Sequence, residues 1–367
     1  MKSTADERAA MRDVICNLLR SEASESHVRA TMATRSGYDA TLWKKLGTLG
    51  IIGMLIDPEH GGSGLGPIEL ELIMEETGSA LLCSPLLSSG VLAASLLMSS
   101  KNRAVQQRLL PSIADGTKLA TVAMTDDRGY WTEAGIGVHA HQVKDRLRLN
   151  GVASYVLYGE VSDVFLVVAR TSDGLGLYEV TKDDSRFELA PLSMFDQTLR
   201  SARLRFADTP ARLIEPIDWA SVQKSLDVAL IARAGEQVGG TRRIFDMTIA
   251  YCKTRFQFGR PIGSFQAMKH WAADLLIDVE SSISAARYAA DRMANQIDQS
   301  QEALYLAAFA CSDAYTKVSA AAIQMHGGIG FTWEHPAHLY ARRARAYAQL
   351  FGSPSYYREQ YLRQLGA

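Results

Sequence analysis

The stretch RFQFGRPIGSFQ, residues 255–266, decides how the C-terminal third of the chain is interpreted. It lies between two long segments whose apolar residues recur at helical spacing, so it connects two predicted helices. A turn between helices needs the glycines and the proline, but it does not need Arg255, Gln257 and the aromatic residues beside them. A guanidinium at a helix end can bind a phosphate through two hydrogen bonds, and aromatic rings can shield that contact. On these residues alone a plain turn is the favoured interpretation, and a connection that also binds a ligand is the alternative.

A second unusual stretch, QMHGGIGFTWEHP, occupies residues 324–336 and follows another long apolar-periodic segment. Gly327 and Gly328 have no Cβ atom, so a ligand can approach the backbone closely there. A helix end followed by a turn explains the same glycines without a ligand. Both interpretations stay open on these residues alone.

Two groups of polar residues predict no site. His335 and His338 stand three residues apart, but no acidic residue or third ligand stands at metal-binding spacing. We therefore expect surface or interface histidines and no metal. Glu75 and Glu76 belong to no motif, and they predict a solvated helix face.

The chain has three regions with different hydrophobic periods. Residues 1–118 carry apolar residues at helical spacing, residues 119–212 form short alternating or apolar runs bounded by turn residues, and residues 213–367 return to the helical period. This order predicts an α+β protein that is mostly α. Its parts are an N-terminal α-helical domain, a middle β-barrel or sandwich and a C-terminal four-helix bundle.

Composition excludes several classes of protein. The 367 residues are 47% hydrophobic with a net charge of -1, which disfavours a nucleic-acid binder. The four cysteines form no CxxC pair, so we expect neither disulfides nor a zinc site. Free cysteines are typical of proteins in the reducing cytoplasm. The first residues are partly acidic and have no apolar core, so we expect no signal peptide and a cytoplasmic location.

Two segments share features with membrane proteins and with dinucleotide-binding proteins. Residues 79–100 carry no charge and have nearly the length of a membrane span, but the proline and many serines favour a buried helix. The glycines of DPEHGGSGLGP, residues 57–67, imitate a dinucleotide loop. Pro67 ends that run before an ordinary helix start, so a tight surface loop is the favoured interpretation.

The motifs taken together, in this order, resemble the acyl-CoA dehydrogenase family. The first stretch matches its R-x-x-FG-x-P-I-x-x-F-Q pattern, and the second matches its Q-x-x-GG-x-G pattern. WKKLGTLGIIGMLIDPEHGGSGLG resembles the family's N-terminal segment, and LNGVASYVLYGEVSDVFLVVA resembles a pair of its barrel strands. The residues that match the two patterns are Arg255, Phe258, Gly259, Pro261, Ile262, Phe265, Gln266, Gln324, Gly327, Gly328 and Gly330.

The resemblance implies an FAD-dependent dehydrogenase that introduces an α,β double bond into an acyl-CoA thioester. It implies an electron-transfer flavoprotein or a similar acceptor as partner. Thr125 matches the loop that touches the flavin ring, and Tyr155 matches an aromatic residue beside the ring. The residues implied to bind the ADP half of FAD, from an adjacent subunit, are Arg255, Gln257, Phe258, Gln324, Gly327 and Gly328.

The sequence departs from the family pattern where the catalytic base is expected. Most members carry a Glu before a Gly, and here Phe351 precedes Gly352. A minority place the Glu earlier, at a position that falls on Ala229 here. The flavin loop TDDRGYWTEAG also departs from T-E-P-x-A-G-S-D, so the serine that helps bind CoA has no identifiable counterpart.

The catalytic residue is therefore unknown from the sequence, and several explanations stay open. Asp227 or Glu359 is a weak substitute for the base. The chain resembles the base-lacking subunit of heteromeric bacterial members that degrade steroid side chains, in which a related chain carries the Glu. Two further alternatives are a non-catalytic structural partner of a related dehydrogenase and an oxygen-using flavin enzyme on the same fold.

Overall fold

The computed structural model describes residues 3–144, 146–182, 187–297 and 299–366. These residues divide into two units, each built from separated pieces of chain. The first unit comprises Met1–Arg29, Pro67–Leu82 and Leu230–Ala367, and the second comprises Ala30–Gly66 and Cys83–Ala229. The predicted boundaries 1–118, 119–212 and 213–367 follow the order of helices and strands and stay a prediction.

The N-terminal region is helical, as its period predicts. Thr4 caps the first helix with its side chain, and the side chain of Glu7 returns a bond to the Thr4 backbone, which satisfies free N–H groups of the first turn. The helices are α1 (Ala5–Glu22), α2 (Glu25–Ala33), α3 (Ala40–Thr48), α4 (Pro67–Ser79), α5 (Ala94–Met98) and α6 (Arg103–Ala114).

The uncharged residues 79–100 are not one helix. Leu86–Ala93 form a π-helical segment that continues into α5, and every residue of this segment is buried. Within the described part of the chain, no helix is long and apolar enough to cross a membrane. Residues 57–67 form a tight loop around a short 3-10 turn, Pro58–His60, as expected.

The middle region forms one mixed sheet. Its strands are β1 (Ala120–Ala123), β2 (Val138–Val143), β3 (Arg146–Leu157), β4 (Val164–Thr171), β5 (Gly174–Thr181), β6 (Phe187–Pro191), β7 (Ser201–Pro210) and β8 (Arg212–Ile217). The order is β6-β7-β3-β2-β4-β5-β8, and β1 pairs with β4 in parallel. A core of buried residues, among them Phe165, Tyr178 and Phe206, covers one face.

The predicted strands of the middle region are confirmed, but the closure of their sheet into a barrel is not. Among the described residues no pairing joins the edge strands β6 and β8, so the sheet is open where a barrel was predicted. Pairing is decided by contacts between strands far apart in sequence, and the alternation of single strands carries no information about it.

The C-terminal region consists of α7 (Trp219–Thr254), α8 (Gln266–Ala294), α9 (Ser300–His326), α10 (Ala337–Tyr347) and α11 (Pro354–Gln364). The apolar stripe of α9 is buried, as its spacing predicts: Leu304, Ala308, Cys311, Tyr315, Val318, Ala322 and Met325. Two short strands, β9 (Phe256–Gln257) and β10 (Arg260–Pro261), interrupt the chain between α7 and α8.

Candidate cofactor-binding and active site

The connection between α7 and α8 is a hairpin, here defined as residues 255–262. The Ile262 N–H donates to the Arg255 carbonyl at 2.8 Å and closes it. A Cβ atom at Gly263 would lie 2.9 Å from the Cys252 carbonyl oxygen, so the chain returns closely onto the end of α7. This closure fixes the connection as a hairpin.

The hairpin presents its side chains outward. Phe258 at the tip is 91% exposed and has a φ of 52°, a left-handed conformation that is unfavourable for a residue with a Cβ atom. Arg255 and Gln257 are exposed as well. The guanidinium of Arg260 lies 4.0 Å from the ring centroid of Phe265. Exposed cations and aromatic rings on a fixed backbone are suited to a charged, flat ligand.

The glycine turn, here defined as residues 324–330, ends α9. Gly327 has φ 65° and ψ -143°, a backbone conformation open to glycine almost alone. A Cβ atom at Gly327 or at Gly328 would meet no atom within 4 Å, so both face open space. Gln324 is exposed beside them. The glycines thus leave their backbone groups accessible at the end of α9.

The hairpin and the glycine turn lie at the same end of the first unit. The ring of Tyr251, one turn before Arg255, stacks on the ring of His326 with centroids 4.5 Å apart. The Tyr251 hydroxyl also donates to the His326 carbonyl at 3.3 Å. The structure therefore brings together the two stretches that the sequence singled out.

The histidines near the glycine turn are more buried than expected. His338 is buried, and its ring stacks on Trp333 with centroids 4.7 Å apart; the prediction of surface histidines is wrong for this residue. His335 is half-buried beside His326, and burial lowers the pKa of both rings, so they are neutral at pH 7. Among the residues described, no group of three ligating side chains is placed to hold a metal.

Thr125 and Tyr155 come together in the second unit. The Ser154 N–H donates to the Thr125 carbonyl at 2.7 Å, and the buried Thr125 hydroxyl donates to the Tyr130 carbonyl at 2.7 Å. Tyr155 is 37% exposed with a φ of 57°. A Cβ atom at Gly129 would lie 3.2 Å from the Tyr155 ring, so the loop packs directly on this ring.

An ion pair that the sequence did not reveal holds the same loop. Arg203 on β7 donates to both carboxylate oxygens of Asp127, at 2.8 and 2.7 Å, and Ser154 also donates to Asp127. The hydrogen bonds from Arg203, then that from Ser154, lower the pKa of Asp127 to about 2. The loop is thus ordered by residues of this chain that do not follow the family pattern.

The residue at the expected base position is part of a closed loop. The Phe351 loop, here defined as residues 350–352, buries Phe351 completely, with a φ of 63°. Arg233, itself buried, donates to the carbonyls of Leu350, Gly352 (3.1 Å) and Ala308 (3.0 Å). The Tyr357 hydroxyl donates to the Phe351 carbonyl. Backbone acceptors therefore face the guanidinium, and an apolar ring fills the loop.

Asp227 and Glu359, the two carboxylates considered as substitutes for the missing base, make ordinary hydrogen bonds and ion pairs. Ala229 is buried, and Asp227 is buried and accepts a hydrogen bond from Gln223 at 2.8 Å. Glu359 is exposed on α11 and forms an ion pair with Arg363. Asp227 and Glu359 therefore remain predictions without structural support.

The acidic residues of α4 correct a sequence interpretation. Glu75 is 2% exposed, so the predicted solvated face is wrong; it pairs with Arg12 (2.8 Å), Arg242 (2.9 Å) and Arg287 (3.4 Å). One turn earlier, Glu71 is 4% exposed and its Oε1 has no hydrogen bond among the described residues. Burial, then the charge of Glu75, raises the pKa of Glu71 to about 7. This group was not found from the sequence because its partners come from distant helices.

The helical N-terminal region, the mixed sheet and the helical C-terminal region follow the order that the resemblance to the acyl-CoA dehydrogenase family implies. Family models confirm this assignment: the acyl-CoA dehydrogenase N-terminal domain matches residues 5–117, and the C-terminal domain matches residues 219–366. The chain belongs to the acyl-CoA dehydrogenase family. Members are flavin-dependent oxidoreductases that act on a CH–CH group.

Characterised relatives agree with this assignment. The acyl-CoA dehydrogenase IpdE2 of Mycobacterium tuberculosis is 33% identical over 350 residues, 95% of this chain and 94% of the relative. The solved ChsE4-ChsE5 complex of Mycobacterium tuberculosis matches with a TM-score of 0.90 and 27% identity, over 99% of this chain and 98% of that one. A variant of the Tcur3481-Tcur3483 steroid ACAD matches with a TM-score of 0.88 and 27% identity, over 98% of both chains.

Proposed function

We propose that this chain is the FAD-binding, base-lacking subunit of a heteromeric acyl-CoA dehydrogenase. The observation that carries the proposal is the contrast within the first unit. The residues suited to a nucleotide are exposed at one end, whereas the position of the family base is an apolar ring in a loop closed by Arg233. A related chain supplies the carboxylate.

The residues of this chain fit the cofactor that the family uses. Arg255 would bind a phosphate of the ADP half, Gln257 and Phe258 would flank it, and the accessible backbone of Gly327 and Gly328 would let it approach, with Gln324 beside them. In the second unit, Thr125 and Tyr155 would contact the ring system. Held by these residues, FAD would supply an acceptor for the hydride that leaves Cβ of the acyl chain.

The other half of the reaction removes a proton from Cα, and it needs a carboxylate base. Phe351 cannot accept a proton, and the nearby guanidinium of Arg233 is used by three backbone carbonyls. The role of this chain is therefore to bind and orient the cofactor and to exclude water with Phe351. The proton passes to the Glu of the partner.

Relatives support a heteromer and a bulky substrate. The solved relatives named ChsE4-ChsE5 and Tcur3481-Tcur3483 are each named for two chains, and the second is named a steroid enzyme. We therefore propose a steroid-derived acyl-CoA as substrate and an electron-transfer flavoprotein or similar acceptor as electron partner. The free thiols of all four cysteines fit the cytoplasmic location proposed from the sequence.

Two alternatives remain distinct from this proposal. The buried Phe351 also suits a structural partner that has lost catalysis, in which case the assembly would keep full activity without flavin on this chain. An oxygen-using flavin enzyme would consume oxygen without any added acceptor. The exposed cations and rings of the hairpin favour the flavin-binding proposal over loss of the cofactor, because packing does not require them.

The visible absorption spectrum tests the proposal. We would record it for the protein purified alone and after co-expression with a related dehydrogenase chain that carries the Glu. We expect flavin absorbance in the mixed complex and little in the lone protein. Flavin bound at one per chain by the lone protein would indicate a self-sufficient homo-oligomer and would contradict the shared site.

A further inference from the structure

The first unit contains a cavity of about 300 Å³ that the proposed function does not use. Helices α1, α2, α4, α7 and α10 contribute its walls. Four of the lining residues have buried apolar side chains: Leu19, Val28, Leu81 and Leu339. Ligand pockets of this size are typically apolar with a few placed polar groups.

Four charged residues line the cavity: Arg20, Arg243, Glu25 and Glu76. Neither Arg20 nor Arg243 forms an ion pair with a carboxylate in the described ranges of the chain, and a guanidinium N–H of Arg20 donates to Cys16 Sγ at 3.4 Å. The two acidic residues of the lining form ion pairs with arginines outside it. Glu25 pairs with Arg29 at 2.8 Å, and Glu76 pairs with Arg12 at 2.7 Å. Two guanidinium groups are therefore available to an anion that enters the cavity.

Tyr340 is an uncharged residue of the cavity lining. Its hydroxyl donates to the Ser79 carbonyl at 2.8 Å, and a hydrogen bond joins it to Arg243. Burial raises the pKa of Tyr340 to about 12, so it stays protonated. This hydrogen bond holds the guanidinium of Arg243, an exposed residue, beside the Tyr340 hydroxyl.

We propose that this cavity binds an amphipathic monoanion, a carboxylate whose apolar body enters the cavity and whose head group contacts Arg243 and Arg20. A volume of 300 Å³ holds about ten non-hydrogen atoms at the space that water takes per molecule, which is the size of octanoate. Charge-assisted bonds to guanidinium groups suit the carboxylate, and the buried leucines and valine suit the chain. None of the residues that line this cavity is assigned to the cofactor or to the proposed reaction.

Calorimetric titration of the full-length protein with octanoate tests the proposal. We expect saturable binding of one octanoate per chain, weakened at least about tenfold in Arg243→Gln. The matched control is Lys224→Gln, which removes one exposed positive charge from the same helix about five turns away and should bind as the wild type does. Binding of 1-octanol as tight as that of octanoate, or of inorganic phosphate alone, would overturn the assigned ligand.

A thiol measurement gives a second readout that does not depend on a variant. Cys16 lines the cavity and is half-buried, whereas Cys83, Cys252 and Cys311 are buried. We expect octanoate to slow alkylation of Cys16 in proportion to its occupancy of the cavity, and 1-octanol to protect less. Unchanged alkylation at saturating octanoate would place the binding elsewhere. Neither readout involves flavin, so failure here leaves the dehydrogenase proposal intact.

Discussion

The hairpin and the Phe351 loop both place a phenylalanine in left-handed backbone, with φ of 52° for Phe258 and 63° for Phe351. Phe258 is 91% exposed, whereas Phe351 is completely buried. Such conformations persist only where surrounding contacts impose them, and they concentrate at functional positions. The comparison teaches that the chain keeps two shaped loops: one holds an exposed ring that we propose to face the cofactor, and the other buries a ring at the position where the family pattern has its base.

The contacts that impose the two conformations differ in kind. The hairpin depends on backbone bonds such as Ile262 to Arg255, so its side chains stay free. The Phe351 loop depends on the side chain of Arg233, with bonds to three carbonyls. Substitutions should therefore separate stability from cofactor binding.

The largest effect is expected for Arg233→Met. This change leaves the carbonyls of Leu350, Gly352 and Ala308 without their buried donor, and it should lower the free energy of unfolding by about 3–5 kcal/mol. Chemical denaturation measures this loss. Arg345→Met, an exposed change on α10, should cost less than about 0.5 kcal/mol. A loss below about 1 kcal/mol in the first variant would show that the guanidinium does not hold the loop.

The buried carboxyl group of Glu71, in the same unit, should make the free energy of unfolding depend on pH. The folded pKa of Glu71, about 7, lies above its ordinary value of 4.5, so the native state binds its proton more tightly than the unfolded state. Stability should therefore fall as pH rises from about 4.5 to 7, by on the order of 3 kcal/mol. Glu71→Gln should remove this slope and raise stability at pH 8.

The matched control for the pH experiment is Glu359→Gln, since this carboxylate is exposed on α11. Its pH profile of unfolding should match that of the wild type. A Glu71→Gln profile that still falls between pH 4.5 and 7 would assign the proton to another group. Unchanged turnover in Glu359→Gln would also remove this residue as a substitute base.

At the exposed end, Arg255→Met should leave stability within about 0.5 kcal/mol and weaken FAD binding by about 10- to 100-fold in the assembly. The reason is loss of a charge-assisted contact to phosphate from a side chain that supports no packing. Flavin absorbance after dialysis measures the effect. Lys253→Met, an exposed charge in the preceding turn, is the control, and equal flavin loss in both variants would contradict a specific contact.

The smallest effect on stability is expected at the flavin loop of the second unit. Asp127→Asn breaks the pair with Arg203, but the side chain of Asp127 is 57% exposed, so the cost is at most about 1 kcal/mol. Because the folded pKa is depressed to about 2, this stabilisation is present above the ordinary value of 3.8 and is lost as pH falls. Circular dichroism melts at pH 7 and pH 3 check both points; a larger loss at pH 3 would contradict the pair.

Local signals in the sequence predicted most of the fold, and they singled out the two stretches that the structure brings together. The stripe of α9 and the stretches at 255–266 and 324–336 are continuous in sequence, so periodicity and turn chemistry reveal them. The open sheet with its parallel β1–β4 pair was not predictable, because strand pairing is nonlocal. The burial of Glu75 was missed for the same reason, since its three arginines come from α1, α7 and α8.

Turnover in mixed assemblies tests the central claim that this chain binds the cofactor but supplies no base. Loss of flavin absorbance on addition of a steroid-derived acyl-CoA, without oxygen, would be followed in the FAD-reconstituted lone protein, in the mixed complex, and in a mixed complex whose partner carries Gln for its Glu. We predict loss of absorbance only in the mixed complex with the intact Glu. Equal rates in the lone protein would contradict the claim, because a base within this chain would then suffice.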